Sequence, residues 1–191
     1  MNPKQGKEEA ENFMASLSIP CMDLKKIIPT FNNTSWLYGM TPGLVKCDVP
    51  PSGAGMLRLS VMGDSHFVMV RASAFLAAAS KVESVPIEKI TYDAARNFLQ
   101  SLTVKSLAAY RAADCRVWFA SVGADGLLWI PPGFLVAERV LQKPLNYGVR
   151  KSYFVDGVES KADLQALIQI RATSYGKESD RMKAVLPLFS P

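Results

Sequence analysis

The spacing of apolar and polar positions changes character along this chain, and the changes divide it into a β, a helical and a second β stretch. Residues 56–62 (MLRLSVM) and 66–72 (HFVMVRA) are strand-like runs on either side of the turn cluster Gly63-Asp64-Ser65, so they predict a β-hairpin. Residues 73–80 and 87–113 then read as helical. Thr91 is placed to cap YDAARNFLQSL, where Ala95, Phe98, Leu99 and Leu102 fall on one face. Val104, Leu107 and Ala108 extend an apolar stripe, with Lys105 and Arg111 supplying charge. From Cys115 the strand period returns: CRVWFAS, LLWI, FLVAERVL and NYGVRKSYFV are four consecutive strands, separated by Gly123-Ala124-Asp125-Gly126, by Pro131-Pro132-Gly133 and by residues 142–145.

The flanks are less regular. Residues 7–17 (KEEAENFMASL) read as a short polar helix. Residues 19–51 are broken by Pro and Asn and follow neither period, although Phe31, Trp36, Leu37 and Tyr38 are expected to anchor them to the core. Towards the end, Ser160-x-x-Asp163 is a capping-box signal for a helix striped by Leu164, Leu167 and Ile168, and a last helical turn is expected over 178–185.

Together these elements predict one α+β domain over residues 1–191: an N-terminal helix or arm at 1–18, a β core at 44–72 and 115–155, a helical insert at 73–113 and C-terminal helices at 159–186. Strands linked by short turns imply antiparallel pairing, hence a β-sandwich or jelly-roll core. A chain of 191 residues, 49% hydrophobic and 20% charged, can bury such a core unaided.

The longest apolar run, 127–137, is broken by Pro131, Pro132 and Gly133 and is too short for the ~20 residues of a membrane span, so no membrane partner is expected. The charged residues 1–12 lack the apolar centre of a secretory leader, which predicts an intracellular address, cytoplasmic or nuclear. Cys21, Cys47 and Cys115 are odd in number and far apart, suiting neither a disulfide framework nor a metal knuckle. The net charge of +5 permits attraction to nucleic acid, but the basic residues are scattered: Lys25-Lys26 and Arg150-Lys151 are the adjacent pairs.

Catalytic signatures are missing as well. There is no G-x-S-x-G elbow, and Pro51-Ser52-Gly53-Ala54-Gly55 lacks the G-K-[ST] of a phosphate-binding loop. Glu138 and Arg139 interrupt an apolar strand, and on the next strand Gly148, Arg150 and Ser152 alternate with Tyr147, Val149, Lys151 and Tyr153. Two readings follow. One is a cross-strand ion pair from Glu138 to Arg150 or Lys151 on a half-exposed sheet. The other gathers Glu138, Arg150 and Tyr147 into a polar site.

The most specific motif is Asp125-Gly126-Leu127-Leu128-Trp129-Ile130-Pro131-Pro132-Gly133-Phe134-Leu135-Val136. With its neighbours at 114–155 it resembles the C-terminal half of a cupin or JmjC-type double-stranded β-helix, whose run is G-D-x-x-x-I-P-P-G-W-x-H. The prolines end one strand and the glycine allows the sharp turn that launches the next. The resemblance implies a small barrel in which the final position of the run binds a metal. Here that position is Val136, and His66 is the single histidine of the chain, without the H-x-H or H-x-D spacing of the family. Non-haem iron sites need two imidazoles and a carboxylate.

No metal, no cofactor and no catalytic residue is therefore expected. The resemblance implies a non-catalytic cupin-like domain that binds a protein partner or a small ligand, with His66, Glu138, Tyr147 and Arg150 as candidate ligand-binding residues. A metal-independent enzyme with a polar site at Glu138 and Arg150, near the barrel mouth, is the alternative, and a nucleic-acid-binding module a second. Oligomeric state is left open by the sequence.

Overall fold

The computed structural model describes residues 34–37, 45–48, 55–140, 147–153 and 161–172, together with Asn12 and Lys183, which are helical; 34–37, 45–48, 147 and 151–153 are described by backbone alone. The helices expected over 7–17 and 178–185 otherwise lie outside these residues, as do Phe31, Tyr38 and Ser160. The described chain is α+β, with two four-stranded antiparallel sheets and four α-helices.

In chain order the elements are β1 (Thr34–Leu37), β2 (Val45–Asp48), β3 (Gly55–Met62), β4 (Ser65–Arg71), α1 (Ala72–Glu83), a 3-10 turn at Ile87–Lys89, α2 (Tyr92–Gln100), α3 (Val104–Ala112), β5 (Val117–Val122), β6 (Leu127–Ile130), β7 (Phe134–Val140), β8 (Tyr147–Tyr153) and α4 (Lys161–Ala172). One sheet has the order β1-β8-β3-β6, the other β2-β7-β4-β5. The hairpin expected from 56–62 and 66–72 does not form. Both runs are strands, but β3 pairs with β6 and β8 while β4 pairs with β5 and β7. Gly63, at φ +82°, turns the chain from one sheet to the other. The register of β3 against β8 shifts between Ser60 and Met62, and the Ser60 hydroxyl donates to the Gly63 carbonyl (3.0 Å). Turn chemistry alone does not distinguish a turn within a sheet from one between sheets.

The four strands read from the second β stretch all form, and they follow the same rule: β5 and β7 lie in one sheet, β6 and β8 in the other. β7 explains why its apolar run is nearly continuous. Phe134 and Val136 belong to a core cluster shared by both sheets, with Met56, Phe67, Met69, Val122 and Ile130, whereas Leu135 and Ala137 belong to a second cluster with the helices. A strand covered on both faces has no solvent face on which to alternate.

The helical cluster joins Val70, Leu135 and Ala137 to Phe75, Ala95, Leu99, Tyr110, Leu167 and Ile170. The Val, Leu, Ile and Phe side chains among them each contribute roughly 1.5–3 kcal/mol when fully buried. Phe98 stacks on Tyr110 with centroids 4.1 Å apart and meets Phe75 at 5.4 Å, tying α1, α2 and α3 together. Thr91 caps α2 as expected, its hydroxyl oxygen accepting from the Ala94 amide (3.2 Å). The apolar stripe expected on α3 does not form: Val104 is 86% exposed and Tyr110 is the residue of that helix that is buried. In α4, Leu164 and Leu167 are buried as the sequence implied. None of the described helices is long and apolar enough to cross a membrane.

Burial pushes the Cys115 thiol up from 9.0 to about 11, and burial, together with the Glu83 carboxylate that accepts from the Tyr110 hydroxyl (3.1 Å), raises the Tyr110 phenol above its usual range. Both groups hold their proton more tightly folded than unfolded. The stability they contribute is fully present below their ordinary values of 9.0 and 10.0 and is lost as pH rises, through about 11 for Cys115. Urea midpoints measured from pH 8 to 11 should therefore fall with pH, and a Cys115→Ala variant should show a shallower decline. An identical decline in the variant would exclude the thiol as a contributor.

Candidate functional site

The facing surfaces of the two sheets are built by strand alternation. On β3, Met56, Arg58 and Ser60 share a face, and on β7 Val136, Glu138 and Val140 do. All six are buried, the arginine to 1% and the glutamate to 9% exposure, although two are full charges. Their burial is accounted for by each other. Arg58 Nη2 lies 3.2 Å from Glu138 Oε1, so the pair bridges the sheets. The Ser65 hydroxyl, from β4, donates to the same oxygen (2.9 Å), and Arg58 Nη1 donates to the Leu59 carbonyl (2.6 Å). Unpaired charges would be far too costly at this depth.

A glycine makes room for the guanidinium. Gly148 of β8 is in register with Ser60, and a Cβ placed on it would lie 1.8 Å from Arg58 Nη1 and 2.3 Å from the Leu59 carbonyl oxygen. The next interior position on β8 is Arg150, directly opposite Arg58, where burial lowers the guanidinium below the usual arginine range.

The second end of the interior is apolar. Pro131-Pro132-Gly133 ends β6 and launches β7 in the other sheet, with Gly133 at φ +87°. The position that would carry a ligand histidine by resemblance, Val136, is 2% exposed and in register with Met69. Trp118 meets Phe134 edge-on at 5.3 Å, and the Arg71 guanidinium sits 5.2 Å over the Phe134 ring. Outside this turn, Asp163 at the start of α4 accepts from Arg71 (2.8 Å), from the Ser73 amide (3.1 Å) and from the Ser73 hydroxyl. The Gly133 carbonyl accepts from the Ala72 amide (3.0 Å), and a Cβ on Gly133 would come within 2.5 Å of the Asp163 Cβ. Asp163 thus substitutes for the missing side-chain cap of α1 and locks α4 onto the turn.

Of the residues singled out from the sequence, Glu138 and Arg150 both lie at interior positions, Arg150 opposite the Arg58 that pairs with Glu138, whereas His66 lies apart from them. Glu138 and Arg150 lie on facing sheets, so the expected cross-strand pair on a half-exposed sheet is replaced by a buried pair between Glu138 and Arg58. Tyr147 is in register with Met62. His66 is exposed, on the face of β4 opposite to Ser65 and Phe67, and in register with Arg139 and Ser121. Arg58, Ser65, Gly148 and Asp163 were missed. A usable signal existed for the first: MLRLSVM and FLVAERV each carry a single charge or charged pair within an apolar strand, with opposite signs available to meet.

Chemically the cluster is a lock: one carboxylate oxygen serves two donors and ties the sheets together away from water. Among the described residues no three of His, Cys, Asp and Glu are grouped so as to hold a metal ion. No family model matches this chain, and no curated protein matches it in sequence.

Proposed function

We propose that this chain is a non-catalytic, cupin-like double-stranded β-helix that serves as a rigid platform for a protein partner. The strand pairs β1 with β8, β2 with β7, β3 with β6 and β4 with β5 support the fold reading. They are the rungs of one long antiparallel ribbon, and winding it so that consecutive strands alternate between sheets is the construction of a jelly roll. The helices then occupy the outer face of the sheet containing β7.

The observation that carries the functional reading is the apolar packing around Val136. Val136 and its neighbours Met56, Phe67, Met69 and Ile130 pack where a cupin enzyme keeps its metal and substrate, and nearby Arg58, Ser65 and Glu138 are engaged with one another. A protein whose interior is packed works through its surface. Elemental analysis and thermal melts in iron(II), manganese or zinc test this. The expected result is no stoichiometric metal and an unchanged midpoint. A resident metal at one hundred times its Kd would add about 2.7 kcal/mol of stability, so a chelator-sensitive midpoint together with bound metal overturns the reading.

A further inference from the structure

Among the described residues strand β5 is an edge of its sheet, since the order β2-β7-β4-β5 ends on it. Edge strands in natural proteins are ordinarily protected by charge, proline or brevity, because their outward N–H and C=O groups invite another strand. VWFASV carries no charge and no proline over six residues. Phe119 at its centre is 61% exposed, and Ser121 is exposed as well. Beside it, where the C-terminal end of α3 meets the start of β5, lies a groove of about 630 Å³ whose lining includes the apolar Leu107, Val117 and Phe119 and the charged Arg111, Arg116 and Asp114. Arg111, Arg116 and Asp114 are all solvent-exposed. Two cations against one carboxylate leave the rim positive.

We propose that this edge and groove are the docking site for an extended, acidic segment of a partner protein, added to the sheet as a strand next to β5. The inference rests on the platform reading above and gives that platform a site and a partner chemistry. Main-chain hydrogen bonds to β5 supply the affinity, and alternate side chains of the incoming strand read the groove. An apolar side chain covers Phe119 and Val117. A carboxylate meets Arg116 or Arg111, where a planar guanidinium can grip it through two hydrogen bonds. A second copy of this chain is a poorer occupant, because every copy carries a net charge of +5.

The test uses the full chain and a synthetic library of short peptides in which β-branched residues alternate with Asp or Glu. Two control libraries carry Lys in place of the acids, or N-methyl groups on alternate amides. Fluorescence polarisation reads affinity and amide hydrogen exchange reads protection. Acidic peptides are expected to bind and to protect the amides of Val117–Val122, N-methylated ones to fail, and Arg116→Glu to weaken binding by about tenfold or more, equivalent to about 1.4 kcal/mol. Phe119→Thr, a solvent-facing change that leaves the core intact, should weaken it too.

The proposal is overturned if no acidic peptide protects β5, if lysine or N-methylated peptides bind equally well, or if β5 protection instead rises with protein concentration through self-association. Metal content measured on the same samples separates the two readings. A metal-free, folded protein that ignores the peptides removes the docking site and keeps the platform. A stoichiometric metal removes the platform even where peptides bind.

Discussion

Gly148→Ala is expected to destabilise the fold by about 3–5 kcal/mol, the scale of breaking a buried ion pair by displacing one partner. At most strand positions the change would have the opposite sign, because glycine in a strand interior is itself unfavourable by roughly 0.5–1 kcal/mol relative to alanine. The reversal comes from geometry. The new methyl carbon would sit 1.8 Å from Arg58 Nη1, so the guanidinium must leave, and Glu138, at 9% exposure, then keeps Ser65 but loses its cation. Urea denaturation with a fixed m-value measures the loss. Pairing the change with Arg58→Met removes the closest clash, and the two together should cost less than the sum of the separate changes. Rescue will be incomplete, because the Leu59 carbonyl oxygen stays 2.3 Å from the added carbon. A neutral or stabilising Gly148→Ala would show that Arg58 does not occupy the interior as described.

That glycine also shows how far the sequence could be read. NYGVRKSYFV announced a strand, and its alternation correctly put Gly148 and Arg150 on one face, because period two is a property of the backbone that sequence carries locally. The same logic found β3 to β7, while capping and turn chemistry found the cap at Thr91 and the turn at Gly133. Pairing was not legible, since Gly63-Asp64-Ser65 is as good a turn between sheets as within one. For that reason Glu138 and Arg150, expected as partners on neighbouring strands of one sheet, lie on β7 and β8 of different sheets.

Helix α3 failed for a different reason. Its apolar spacing implied a buried stripe, yet Val104 is exposed, because burial is decided by which element lies opposite and not by spacing alone. Strand β1 was unread, and β2 was placed only within the β core at 44–72 without a strand of its own, because TSWL and VKCD lie in a stretch broken by Pro and Asn that follows neither period. Their pairing with β8 and β7 is what completes the ribbon.

Among single changes, Arg58→Met and Glu138→Leu should each cost about 3–5 kcal/mol, because each leaves a buried charge without its partner. The double change should recover most of that loss and end within about 1–2 kcal/mol of the parent, since well-packed apolar replacements of buried ion pairs are often neutral or better. Ser65, whose hydroxyl donates to Glu138, sets the remaining deficit, about 1 kcal/mol for a lost hydrogen bond. A double-mutant cycle by urea denaturation gives the coupling directly, and additive single changes would mean that the 3.2 Å contact contributes nothing. The cycle also bears on function. An enzyme working through Glu138 loses its activity in the double variant whatever its stability. A platform that binds at β5 keeps its partner, because β5 lies at the sheet edge and Phe119, its central exposed residue, is paired in register with Val68 and not with the ion-pair residues. A stable double variant that still protects Val117–Val122 when given acidic peptide would place the working part of the molecule on its surface, with the interior left as a packed support.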